Sequence, residues 1–144
     1  MIENVDHVTI VVRDVDETKK FFALLGFVDG MSDVISGPKF SNYMGVENIE
    51  AEHQTLVLAD ASPRFEIQLL KYRRPDALPN PSIATLRELG FNHICFRVDD
   101  LDAEVAKLEA NGVKRRNEVM QFHGRKLVYL VGPEDITVEL SEWI

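Results

Sequence analysis

Two stretches of the chain repeat one hydrophobic pattern. Around His7, Val8, Ile10 and Val12 fall on one side of an alternating strand and His7, Thr9 and Val11 on the other. Around His93, Ile94, Phe96 and Val98 alternate in the same way with His93, Cys95 and Arg97. The two histidines lie 86 positions apart, and the same offset pairs Val12 with Val98, Asp14 with Asp100, Asp16 with Asp102 and Gly26 with Gly112 without a gap. Strand, acidic turn, helix and glycine stop in one register point to an internal duplication.

Each copy predicts the same elements. A β-branched strand ends in an Asp-rich turn, where Asp14 or Asp16, and Asp100 or Asp102, can cap a helix. Thr18, Phe21, Phe22 and Leu25 recur at helical spacing in the first copy, and Leu101, Val105 and Leu108 in the second. Gly26 and Gly112 stand where a helix end requires positive φ. Returning strands are expected over 53–59 and 64–71, then 124–131 and 136–142. The segment Arg74–Pro81, with three prolines, reads as the start of a linker. The expected division is a first module over 1–73, a linker over 74–89 and a second module over 90–144.

In the closing strands, Phe65, Ile67 and Leu69 alternate with Glu66, Gln68 and Leu70, and Ile136, Val138 and Leu140 with Thr137, Glu139 and Ser141. Each copy thus carries a histidine on its first strand and an amide or carboxylate on its last, opposite an apolar face that must pack on helices. His7, Gln68, His93 and Glu139 form a donor set suited to one divalent metal ion such as Zn, Co, Ni, Mn or Fe. Alternation alone leaves Glu66 as an alternative to Gln68, because both lie on one strand face.

Composition narrows the function. A net charge of −8 disfavours a general nucleic-acid binder. No apolar run is long enough to cross a bilayer, and the N-terminus has no basic, apolar leader, so no membrane partner is expected. The single cysteine, Cys95, precludes an internal disulfide and fits a cytoplasmic location. A buried inert thiol is the better reading of Cys95 than a nucleophile. His53 and His123 are expected in or near loops, and Trp143 as an apolar anchor of the C-terminal end. The basic clusters, Lys71, Arg73 and Arg74 with Arg115, Arg116, Arg125 and Lys126, read as solvated surface or as a phosphate grip.

The stretches Asp6-His7-Val8, Phe91-Asn92-His93-Ile94-Cys95-Phe96-Arg97-Val98-Asp99-Asp100-Leu101 and Val138-Glu139-Leu140 resemble the vicinal oxygen chelate superfamily, the glyoxalase/bleomycin-resistance/dioxygenase group. The resemblance implies an α+β fold of two tandem βαβββ modules forming a U-shaped mixed-sheet cup with helices outside. It implies ligands His7, Gln68, His93 and Glu139, with Gln68 chosen because Ile67-Gln68-Leu69 matches Val138-Glu139-Leu140. The ligand set resembles that of methylmalonyl-CoA epimerase and, less closely, glyoxalase I. That implies an isomerase, epimerase or lyase moving a proton beside a carbonyl or thioester, with Glu139 as a ligand that also handles the proton. Glu52, at epimerase-like spacing before Gln68, is a candidate base. The implied partners are a small-molecule substrate of anionic kind, such as an acyl-CoA or thiol adduct, and a second copy in a homodimer. Two other classes compete: an Fe(II) extradiol-type dioxygenase using His7, His93 and Glu139, and a non-catalytic drug binder.

Overall fold

The computed structural model describes residues 1–144. They divide into two compact units, Met1–Pro79 and Asn80–Ile144. The division falls within the proline-bearing stretch between the two copies of the repeat.

The first unit runs β1 (His7–Val11), α1 (Val15–Leu24), β2 (Phe27–Ser36), α2 (Pro38–Met44), β3 (Glu50–Leu58) and β4 (Glu66–Arg74). Its sheet has the order β1-β4-β3-β2. β1 is parallel to β4, whereas β4, β3 and β2 are antiparallel neighbours. The second unit runs β5 (Ile94–Arg97), α3 (Leu101–Ala110), β6 (Met120–Phe122), β7 (Arg125–Val131) and β8 (Thr137–Trp143). Its order, β5-β8-β7-β6, repeats that of the first unit. Each unit is therefore βαβββ, with α2 added in the first, and the chain is α+β with two four-stranded mixed sheets.

Local chemistry explains the repeated start. Asp14 caps α1 by accepting a hydrogen bond from the Glu17 amide at 3.0 Å, and Asp100 caps α3 by accepting one from Ala103 at 3.0 Å. Both helices stop at a glycine with positive φ, 96° at Gly26 and 84° at Gly112, where a side chain would strain the backbone. Thr18, Phe21 and Phe22 of α1 and Leu101, Val105 and Leu108 of α3 are buried, as their spacing predicts. They cover the face on which Ile67, Leu69, Val138 and Leu140 are fully buried.

Three elements escape the hydrophobic pattern. β2 exposes Val28, Met31 and Val34 and shifts register between Asp29 and Ser32, so its sequence shows no clean alternation. Gly30 lies in that shift, and a Cβ there would meet the side chain and carbonyl of Thr55 at 3.2–3.3 Å. The short helix α2 buries no residue, and the three residues of β6 are all exposed. Neither leaves an apolar stripe to read. The closing strand β4 also runs three residues beyond the expected Lys71, to Arg74. No helix is long and apolar enough to cross a membrane.

Candidate metal-ligand faces

In the first unit, the parallel ladder sets His7 beside Glu66 and Thr9 beside Gln68. Residues paired across a ladder point the same way, so His7, Thr9, Glu66 and Gln68 share a face. β3 adds Thr55, which pairs with Gln68, and His53, which pairs with Leu70. His7 Nδ1 lies 2.6 Å from Asp6 Oδ2. A carboxylate on Nδ1 fixes the imidazole tautomer and leaves Nε2 with its lone pair for a ligand. The Gln68 amide is held at both ends: Oε1 accepts from His53 Nε2 at 3.1 Å, and Nε2 donates to Glu66 Oε2 at 3.3 Å. Glu66 is itself bound by Arg64 at 2.6 Å, and that hydrogen bond holds its carboxyl below the usual carboxylate range.

In the second unit, Cys95 pairs with Glu139 on the neighbouring strand. His93 Nε2 lies 2.6 Å from Glu139 Oε2, and its Nδ1 lies 2.7 Å from Asn92 Oδ1. Glu139 is buried, and β7 places Tyr129 opposite it. The Tyr129 ring meets His93 edge-on at 5.1 Å between centroids. Burial, then the Glu139 charge, raises the Tyr129 hydroxyl above its usual range. Cys95 opens to solvent on one side, yet burial of the other, with Glu139 next, pushes its thiol up to about 11. It therefore stays protonated near neutral pH, but it is exposed, not the buried thiol expected from the sequence.

The ladders align the closing strands without reference to the sequence motif. Thr9 and Cys95 are separated by the 86-residue offset, and their partners are Gln68 and Glu139. Gln68 is thus the structural counterpart of Glu139. Glu66, two residues earlier, occupies the step that Thr137 holds in the second unit.

The donor chemistry suits a divalent ion. A neutral imidazole, an amide oxygen and a buried carboxylate are borderline-to-hard donors. The His93 and Glu139 donor atoms already lie at a spacing of 2.6 Å, close enough to chelate one ion. Histidine, cysteine and carboxylate side chains by themselves form no group of three able to hold a metal.

Other expected residues fall elsewhere. The structure does not bring Glu52 to Gln68. Glu52 pairs with Lys71 across β3 and β4, which puts it on the opposite face of the sheet from Gln68 and His53. There it forms ion pairs with Lys71 at 3.9 Å and Arg73 at 3.6 Å. His53 is not in a loop but within β3, bonded to Gln68; its signal was the alternation His53, Thr55, Val57. His123 does sit in the turn between β6 and β7, with φ of 48°. Trp143 is not an apolar anchor: it is 55% exposed, with the guanidinium groups of Arg97 and Arg125 over its ring. The basic clusters are mostly neutralised. Lys71, Arg73 and Arg74 pair with Glu50 and Glu52, and Arg115, Arg116 and Lys126 pair with Glu109, Asp135 and Asp102.

Residues 6–129 match the family model of the glyoxalase/bleomycin resistance protein/dioxygenase superfamily, and the chain belongs to that superfamily. The chain is 33% identical over 51 residues to glyoxalase I of Saccharomyces cerevisiae, a stretch that is 35% of this chain and 16% of that protein. It therefore spans about a sixth of that relative. A glyoxalase family protein from Bacillus cereus matches over 100% of this chain and 96% of its own, with TM-score 0.89 and 26% identity. The fosfomycin resistance protein FosX from Listeria monocytogenes, in a complex with Mn(II) and sulfate, shares the fold at TM-score 0.63 and 19% identity, over 100% of this chain and 95% of its own.

Proposed function

We propose that this protein is a metal-dependent enzyme that moves a proton on a carbon beside a carbonyl or thioester, with His7, Gln68, His93 and Glu139 as the metal ligands. The observation that carries the reading is the His93–Glu139 contact at 2.6 Å; Gln68 stands at the strand position of the first unit that matches Glu139. The Mn(II) bound by FosX and the glyoxalase I relationship support a divalent ion and this reaction class. A bound ion would supply Lewis-acid stabilisation of negative charge on the carbonyl oxygen.

The chain's own groups do the rest. Glu139 carries the proton, because it is a buried carboxylate at the face and its contact with His93 can be exchanged for one to substrate. Asp6 and Asn92 hold the two imidazoles through Nδ1. His53 and Glu66 keep the Gln68 amide from rotating. Glu52 has no part in this machinery, since its face and its two cationic partners take it elsewhere.

Two measurements test the proposal. Metal analysis of the purified protein should find about one divalent ion per chain. Incubation in D2O with acyl-CoA thioesters and glutathione hemithioacetals should wash deuterium into the α-carbon of one of them. Oxygen uptake with catechols and Fe(II), and no α-exchange with any thioester or hemithioacetal, would replace this reading with the dioxygenase one.

A further inference from the structure

Three arginines of the second unit, Arg87, Arg97 and Arg125, take no carboxylate partner, and two of them lie against one aromatic ring. Lys107, Arg115, Arg116 and Lys126 each take a carboxylate partner. Arg97 and Arg125 take none, although the chain carries a net charge of −8. Both instead converge on one ring: the Arg97 guanidinium lies 3.9 Å, and that of Arg125 4.8 Å, from the centre of Trp143. The convergence follows from the ladders. Arg97 pairs with Ser141 across β5 and β8, and Arg125 pairs with Trp143 across β7 and β8.

These residues share the face of Glu139. Ser141 and Trp143 are two and four residues beyond it on β8, so they alternate onto the same side. Ser141 is only 4% exposed, and its hydroxyl has no hydrogen-bond partner. A buried hydroxyl left unpaired is unfavourable, so a partner is expected to meet it. A guanidinium held over an indole rather than by a carboxylate keeps N–H donors for an anion. Two cations held near one ring, with no carboxylate partner, favour the approach of an anion.

We propose that Arg97, Arg125 and Ser141, built around Trp143, form an oxyanion-binding site for the carboxylate or phosphate end of a small-molecule ligand. The guanidinium forks take two oxygens, and the Ser141 hydroxyl donates to one of them. Strand geometry sets the ligand's reach: Ser141 and Trp143 lie about 7 and 13 Å along β8 from Glu139. The ligand therefore carries its anionic group several bonds from any carbon that meets Glu139. All four residues belong to one unit, and the site goes beyond the metal reading without resting on it.

Trp143 is the only tryptophan, so its fluorescence reports the site directly. The full chain, stripped of metal with EDTA, is titrated with inorganic phosphate and, separately, with acetate, against chloride at matched ionic strength. We expect a saturable change with phosphate if the ligand end is a phosphate, or with acetate if it is a carboxylate. Arg97→Gln and Arg125→Gln should each weaken the midpoint about tenfold, and Ser141→Ala by less. Arg87→Gln, a charge change outside these strands, should leave it unmoved. Far-UV circular dichroism checks that the variants fold. If a Gln variant does not, the matching Lys variant keeps the charge and loses the fork, and it should weaken the midpoint several-fold. No saturable change beyond chloride with either anion, or a midpoint that ignores substitution at both arginines, overturns the site. Because metal is absent throughout, that failure leaves the metal proposal standing, and a metal-free wild-type protein leaves this one standing.

Discussion

The two units carry the same three kinds of group in exchanged places. In the first, an acid, Asp6, holds the back of the histidine, and an amide, Gln68, stands on the closing strand. In the second, an amide, Asn92, holds the back of the histidine, and an acid, Glu139, stands on the closing strand. On the proposed metal-dependent reading, the exchange separates two jobs that one carboxylate would otherwise share. An acid on Nδ1 makes its imidazole a stronger donor but stays out of reach of a ligand on Nε2. An acid on the closing strand faces that ligand and can take or give a proton. The duplication supplied two equal frames, and the difference lies in which step of each frame holds the charge. Glu66 shows that a second acid in the first unit does not undo this, since Arg64 occupies it.

The sharpest way to break the comparison is to make the units alike. Glu139→Gln gives the second unit the closing-strand amide of the first. If Glu139 carries the proton, α-deuterium exchange should fall about 100- to 10,000-fold while the circular dichroism spectrum is kept. Metal content measured on the same sample should fall as well. Exchange at the wild-type rate would remove Glu139 from the reaction.

The apolar sides of the frames should respond alike. Leu69 and Leu140 sit one step beyond Gln68 and Glu139, face the helices and are fully buried. Leu69→Ala and Leu140→Ala should each cost about 2–5 kcal/mol in denaturant unfolding. A loss below about 1 kcal/mol at only one of them would mean that the two cores are not equivalent.

That equivalence is what made the fold legible. The 86-residue offset, the caps Asp14 and Asp100 and the stops Gly26 and Gly112 are local signals, and the structure uses each as the sequence implies. Strand alternation put His7 and Gln68 on one face, though the ladder sets Glu66 rather than Gln68 beside His7. β2, α2 and β6 were not legible, because elements that bury little impose no apolar period. Glu52 was read from spacing along the chain, but the step between neighbouring strand residues turns it to the other face. The Arg97–Trp143–Arg125 stack was hidden because it joins three strands, two of them far apart in sequence, and only the ladder registers bring them together.

A finer break concerns the groups behind the histidines. Asp6→Asn gives the first unit the second's backing amide and keeps a hydrogen-bond acceptor for Nδ1. Metal affinity should drop by about tenfold, the low end for a supporting residue. The reverse change, Asn92→Asp, should raise affinity or leave it equal. Competition with a chromophoric chelator measures both. An Asp6→Asn variant with unchanged affinity would mean that His7 needs no carboxylate behind it.

The smallest expected effect separates the units at their helix starts. Both N-caps make the same bond at 3.0 Å, so Asp14→Ala and Asp100→Ala should each cost about 1 kcal/mol at most sites of this kind. The second helix has another support, however. Glu142 of β8 accepts a hydrogen bond from the Leu101 amide at 2.8 Å and lies 3.8 Å from Lys126 Nζ. That carboxylate satisfies one of the open amides of α3 and places negative charge at the positive end of the helix. It remains when Asp100 is removed. Asp100→Ala should therefore cost a few tenths of a kcal/mol less than Asp14→Ala. The double substitution Asp100→Ala with Glu142→Ala should cost more than the two single changes added, because each acceptor covers for the other. Urea midpoints for the four variants measure this. Strict additivity would mean that the two acceptors act independently and that the second unit's helix is held no more firmly than the first's.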